Sequence, residues 1–132
     1  MAGTHRIVET ERLILRPFEP ADEAAYAAIR SNPEVARYLA GGETSAAEGA
    51  ATAARLVRAF TALWDDPGYG PWAVVERATG HLIGHLGLRL LPEFQGRTEL
   101  LYALSPEAQG KGYAVEGAAT ALAFGFDTLG LP

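Results

Sequence analysis

Residues 11–17 alternate polar and apolar around a β-branched centre, Ile14, which predicts a strand. Pro17 suits the end or an edge of that strand, because proline cannot donate to a ladder. From residue 20 the period changes. Pro20 fits a helix start, and Ala24, Ala25, Ala28 and Ile29 form an apolar stripe that Asn32-Pro33 stops. A second helix is expected from Ser45 or Ala46 to Trp64, with Ser45 and Glu48 at capping-box spacing. Between the helices, residues 35–42 read as a turn or short helical piece followed by a Gly-Gly break. Residues 72–76 then predict a strand, Thr79-Gly80 a hairpin turn, and residues 81–90 a longer returning strand. Gly84 and Gly87 inside it suggest a bulge or a close backbone approach. A fourth predicted strand spans 98–104, and a small-residue helix runs from about Gly112 to Leu129, with Gly130 as its C-cap. The order β-α-α-β-β-β-α describes one α/β domain over residues 1–132.

Composition narrows the chemistry. The 132 residues contain no cysteine, so disulfides, thiolate metal sites and cysteine nucleophiles are excluded. A net charge of −5 argues against a general nucleic-acid or anionic-membrane binder, yet leaves room for a local anion site built from backbone dipoles. The first six residues lead into no apolar signal region, and no apolar run approaches the roughly 20 residues of a membrane span. A soluble, cytoplasmic protein without a metal is the expectation.

The informative stretch is residues 100–119, where an apolar strand feeds a glycine-containing loop that opens a helix. Such a junction presents successive backbone N–H groups and the positive end of a helix dipole to phosphate oxygens. Gly110 and Gly112 would let the backbone approach a pyrophosphate closely, and Lys111 adds one flexible charge at the rim. No G-x-x-x-x-G-K-S/T arrangement surrounds Lys111, and Gly110-x-Gly112 is followed by Val115 where a dinucleotide fingerprint needs its third glycine. Nucleotide hydrolysis and hydride transfer are therefore poor readings.

Gln109, Gly112 and Ala114 stand on the defined positions of the pattern Q/R-x-x-G-x-G/A, so the loop resembles the pyrophosphate loop of GNAT acetyltransferases. Residues 10–16 look like the opening strand of the branch that acetylates ribosomal-protein N-termini; residues 82–88 and 99–104 look like its third and fourth strands. The resemblance implies the GNAT α/β fold. It also implies acetyl-CoA as co-substrate, with the pyrophosphate on Gln109, Gly110, Lys111, Gly112, Tyr113 and Ala114. The pantetheine would run near Leu104 and Ser105, and a backbone N–H at Ala103 or Leu104 would polarise the thioester carbonyl. An amine acceptor, a protein N-terminus or a small amine, would attack directly.

Glu99 is the candidate general base by its strand position in that likeness, with His85 second because its intrinsic pKa lies near neutrality. Each has a bland alternative: a solvated strand-end carboxylate for Glu99, a satisfied sheet-face histidine for His85. Tyr38 and Trp72 are candidates for lining the acceptor pocket, though helix-sheet packing explains them equally well. Tyr113 and Tyr102 read as packing residues, Tyr113 near the cofactor. Family members normally continue past the loop helix with a strand, a helix and a closing strand. Relative to that pattern the domain reads as incomplete at its C-terminus, leaving the fourth strand an apolar edge through which homo-oligomers would form. A catalytically inactive acyl-CoA-binding module is the alternative function.

Overall fold

The protein is described from a computed structural model covering residues 7–36, 46–91 and 97–128. Five antiparallel strands lie in the order β1-β2-β3-β4-β5: Val8–Glu9, Leu13–Arg16, Pro71–Glu76, Leu82–Leu91 and Arg97–Leu104. Helices α1 (Glu23–Ser31), α2 (Pro33–Ala36) and α3 (Ala46–Leu63) come between β2 and β3, and α4 (Tyr113–Ala123) follows β5. A single 3₁₀ turn, Pro20–Asp22, precedes α1, and a π turn, Phe124–Thr128, ends α4.

The expected strands and long helices are present, with a short first strand and a helical turn after Asn32 beside them; Ser45, Gly130 and residues 37–42 lie outside the described residues. The short β1 pairs Val8 with Leu15 across a tight turn; two residues are too few for a periodic signal. The asparagine-proline stop after α1 is followed by one helical turn, α2, because proline is well suited to a first helical position.

Strand alternation sorts the core into two layers. On one face Phe18, Tyr26, Ala53, Val57, Phe60 and Ala73 pack under α1 and α3. On the other, Leu13, Leu15, Trp72, Val74, Leu86 and Leu88 meet Tyr113, Ala121 and Phe124 of α4 and its extension. Trp64, at the end of α3, stacks with Trp72 and Phe124 at ring separations of 5.4 and 6.1 Å. Trp72 is 1% exposed inside this cluster, so it has no surface to offer an acceptor and the pocket expectation for it is corrected. Arg16, at the end of β2, ties the strand to the start of α1 by donating from both terminal nitrogens to Asp22, each at 2.9 Å. Burial pushes the Asp22 carboxyl up, but the Arg16 hydrogen bonds and the Glu19 N–H at 2.7 Å hold it below its ordinary value.

His85 also belongs to this interior. It is 4% exposed, 5.8 Å from the Tyr26 ring and 5.7 Å from the Phe60 ring. The Tyr26 hydroxyl accepts from Arg30 at 3.3 Å and lies 2.8 Å from His85 Nδ1. A neutral imidazole protonated at Nε2 satisfies this chain, since Tyr26 then donates to Nδ1. Burial, aided by the Arg30 charge, lowers its pKa to about 3, which makes it a poor proton acceptor at neutral pH. The expectation of His85 as a second-choice base is corrected on that ground.

The bulge expectation concerned Gly84 and Gly87. Pairing shifts between Val74 and Val75, with Gly84 and Leu82 opposite them, and Gly84 has φ +155°. A Cβ there would stand 2.0 Å from the Ala103 carbonyl oxygen; one on Gly87 would stand 2.8 Å from that of Gly70. Both obstructions are backbone, which cannot swing aside. Gly84→Ala should therefore cost roughly 2–4 kcal/mol, read as a lower denaturation midpoint at unchanged slope.

His85 gives a second prediction. The unfolded state binds a proton near pH 6.5 that the folded state refuses until about pH 3, so stability falls as pH drops through that window. Between neutrality and about pH 4.5 the loss should be roughly 2–3 kcal/mol. Asp22 and Glu116, both held below their ordinary carboxylate values, begin to add their own losses from about pH 5 downward. Chemical denaturation of His85→Gln across this range should show a flattened slope; an unchanged slope would contradict the buried neutral imidazole.

Candidate active site

The site forms where β5 ends and α4 begins. Leu104 pairs with Gly84 and Ala103 with His85, and the Ser105 N–H donates to the Ile83 carbonyl at 2.7 Å. Strand alternation therefore turns the backbone polar groups of Ala103 toward β4 and those of Tyr102 and Leu104 toward the opposite edge. No described strand pairs with that edge. Of the two candidates for a carbonyl-polarising donor, Ala103 spends its N–H in the ladder, whereas Leu104 has its N–H on the open side. The Leu104 carbonyl accepts from Gln109 Nε2 at 3.1 Å, so the glutamine side chain fastens the returning loop to the strand end.

The loop then needs two left-handed residues. Gly110 and Gly112 both have φ +80°, a conformation that costs an L-residue with a Cβ roughly 1–2 kcal/mol. Gly112 is the N-cap of α4 and has no side chain to cap it. The first intrahelical bond is Glu116 N–H to Gly112 carbonyl at 3.0 Å, so the N–H groups of Tyr113, Ala114 and Val115 precede the ladder. They point outward at the positive end of the helix dipole.

A cavity of about 600 Å³ lies against this junction. Ala103, Leu104, Gln109, Gly110, Gly112, Tyr113 and Ala114, all anticipated as cofactor residues, line it together, with Val35 of α2 opposite. Tyr102, read as a packing residue, is 57% exposed and forms part of its wall instead. Ser105 and Lys111 do not line it. They face a second groove of about 720 Å³ beside α1, where Lys111 Nζ lies 3.8 Å from Glu76 Oε2.

Glu99 stands on the same sheet face as His85 and Ala103 but five residues before Leu104, about 17 Å along the strand. Its carboxylate pairs with Arg89 at 2.7 Å. The fold thus does not bring it into direct reach of Leu104. Tyr38 lies outside the described residues.

Residues not singled out beforehand hold the loop from below. Arg12 donates from Nε to Glu116 at 2.7 Å and from Nη1 to the Lys111 carbonyl at 2.8 Å, and its guanidinium sits 4.5 Å over the Tyr113 ring. Glu116 also accepts from the Thr10 hydroxyl and from the Arg12 backbone N–H at 3.1 Å. Burial raises the Glu116 pKa, but these donors outweigh it and hold the carboxyl below its ordinary value. The Tyr113 hydroxyl donates to Glu76 at 2.7 Å, which raises the tyrosine pKa and lowers that of the glutamate. Only opposite charges in distant segments hinted at the Arg12–Glu116 pair; the fold supplies the meeting.

Comparison with known proteins gives this geometry its context. The acetyltransferase (GNAT) domain family matches residues 12–132. An uncharacterized N-acetyltransferase, YoaA of Bacillus subtilis (strain 168), is 34% identical over 125 residues, spanning 95% of this chain and 69% of its own length. The crystal structure of an acetyltransferase from Agrobacterium tumefaciens str. C58 superposes with a TM-score of 0.76 at 30% identity, over 96% of this chain and 70% of that one. A ribosomal-protein-S5-alanine acetyltransferase from Vibrio fischeri shares the fold (TM-score 0.73) at 18% identity, over 95% and 69% of the two chains. Proteins of this family use acetyl-CoA as co-substrate. With a family match over nearly its whole length and the strand–loop–helix junction in place, this chain belongs to the GNAT acetyltransferase family.

Proposed function

We propose that the cavity beside β5 binds acetyl-CoA and that the chain transfers its acetyl group to a primary amine, a protein N-terminus or a small amine. One observation carries the reading: two left-handed glycines, three outward N–H groups of α4 and the open-edge N–H of Leu104 converge on one cavity. The pyrophosphate suits the loop amides, which supply positive potential although the chain is acidic overall. The pantetheine, with its own amides, suits the unpaired polar edge of β5, to which an extended ligand can add as a strand would. The cavity volume lies within the roughly 300–1,000 Å³ common to ligand sites.

In the transfer, the neutral amine attacks the thioester carbonyl. The C–N bond forms, the C–S bond breaks and CoA leaves as a thiolate, while the amine gives up a proton. The Leu104 N–H faces the developing oxyanion, and donors of this kind are worth about 3–4 kcal/mol in related chemistry. The absence of cysteine fits direct attack without a thiol acyl-enzyme. Solvent water takes that proton first, and Glu99, about 17 Å along the strand from Leu104, receives it only through a chain of several waters. That separation and the Arg89 pair also favour a second reading, acyl-CoA binding without turnover.

Thermal unfolding tests the binding. Acetyl-CoA at about 100 times its Kd should stabilise the protein by about 2.7 kcal/mol. Gly112→Val, strained by its left-handed backbone, should abolish the shift in a protein that still unfolds cooperatively. No shift with the wild type would contradict the reading. For turnover, Glu99→Gln should lower kcat on an amine panel by roughly tenfold or more and leave acetyl-CoA affinity unchanged. Binding with no turnover on any amine would select the second reading.

A further inference from the structure

Arg12 takes no part in the chemistry above, yet three features of the loop converge on it. Its Nη1 holds the Lys111 carbonyl at 2.8 Å, its Nε is held by Glu116 at 2.7 Å, and Tyr113 forms the floor beneath its guanidinium. The carbonyl it holds belongs to the peptide between Lys111 and Gly112. In a trans peptide the C=O and N–H point in opposite directions, so pulling the Lys111 oxygen toward Arg12 turns the Gly112 N–H away from it. Gly112 lines the cavity. Among the described residues no other hydrogen bond to that carbonyl is seen, and the glycine makes rotation of this peptide sterically cheap. Rotated, the unit would present a carbonyl oxygen where an anion needs a donor.

We infer that Arg12 is a positioning residue that locks the Lys111–Gly112 peptide in its anion-accepting orientation, with Glu116 and Thr10 holding the arginine in place. The role rests on the acetyl-CoA reading and deepens it: Arg12 acts on the ligand's pyrophosphate through the backbone. Its effect should therefore depend on whether the ligand carries that group. Glu116 connects the lock to β1–β2, because its carboxylate also takes the Arg12 backbone N–H and the Thr10 hydroxyl.

The experiment compares wild type, Arg12→Ala, Arg12→Lys and Arg58→Ala by calorimetric titration with acetyl-CoA and with S-acetyl-pantetheine, which lacks the pyrophosphate. Arg58, exposed on α3, controls for loss of one positive charge. Arg12→Ala should weaken acetyl-CoA binding by roughly tenfold to a hundredfold, a charge-assisted hydrogen bond's worth. Arg12→Lys should recover part of the loss and Arg58→Ala should show none. The S-acetyl-pantetheine affinity should change far less than that for acetyl-CoA. A ligand-free crystal structure of Arg12→Ala should show the Lys111–Gly112 peptide rotated or in two orientations. Equal losses for both ligands, or an unrotated peptide with undiminished acetyl-CoA affinity, would overturn the lock. Wild-type protein that binds neither ligand would overturn the acetyl-CoA reading itself, and a peptide still fixed in Arg12→Ala would refute the lock independently of any ligand.

Discussion

The closeness of α4 to the sheet is the constraint on which the candidate site depends. A Cβ on Gly117 would stand 2.7 Å from Leu86 Cδ1, so the glycine is what lets the helix lie directly on β4. One residue earlier, Glu116 anchors the same turn to Thr10 and Arg12 on the opposite side of the chain. Tyr113 adds a third tether through Glu76 at the end of β3. Three contacts in the first two turns leave the helix start little freedom. The loop between Leu104 and Tyr113 must then close a short gap, and its two left-handed glycines are the means. A cavity edged by N–H groups is the geometric result of packing α4 there.

The second organising feature is the two-sidedness of β5. One backbone edge is consumed by the ladder to β4, with Ala103 against His85, and the other presents Leu104 and Tyr102. The side chains divide in the same way, with Glu99 and Ala103 over the layer that contains His85 and Tyr102 over the layer of α4. Burial of His85 beside Tyr26 and Phe60 keeps its imidazole uncharged at neutral pH. On the same face Glu99 is half-exposed and paired with Arg89, whereas the histidine is enclosed by aromatic rings.

Much of this was legible in the sequence for definite reasons. Period-two and helical patterns located the strands and long helices to within a few residues, because each buries one face. The glycines at 84 and 87 announced a close backbone approach, and the run from Gln109 to Ala114 announced an anion loop by composition and resemblance. Side-chain direction was not legible. Trp72 and His85 looked like site residues by type, yet strand parity sends both into cores whose packing depends on helices far away in sequence. Lys111 reads from the sequence as a flexible charge at the rim of the loop, and its Nζ lies in the second groove, 3.8 Å from the Glu76 carboxylate. The Arg12–Glu116 pair spans 104 residues, and no local pattern encodes such a meeting. Distance along β5 was countable from the sequence, but its meaning required knowing which backbone edge is open at Leu104.

The most direct measurement is a backbone amide chemical-shift titration of the isotopically labelled protein with acetyl-CoA. The account predicts that the largest perturbations fall on Gly110, Gly112, Tyr113 and Ala114, with Leu104 following. Perturbations centred on the groove of His81, Ser105 and Lys111, or none at saturating ligand, would contradict it.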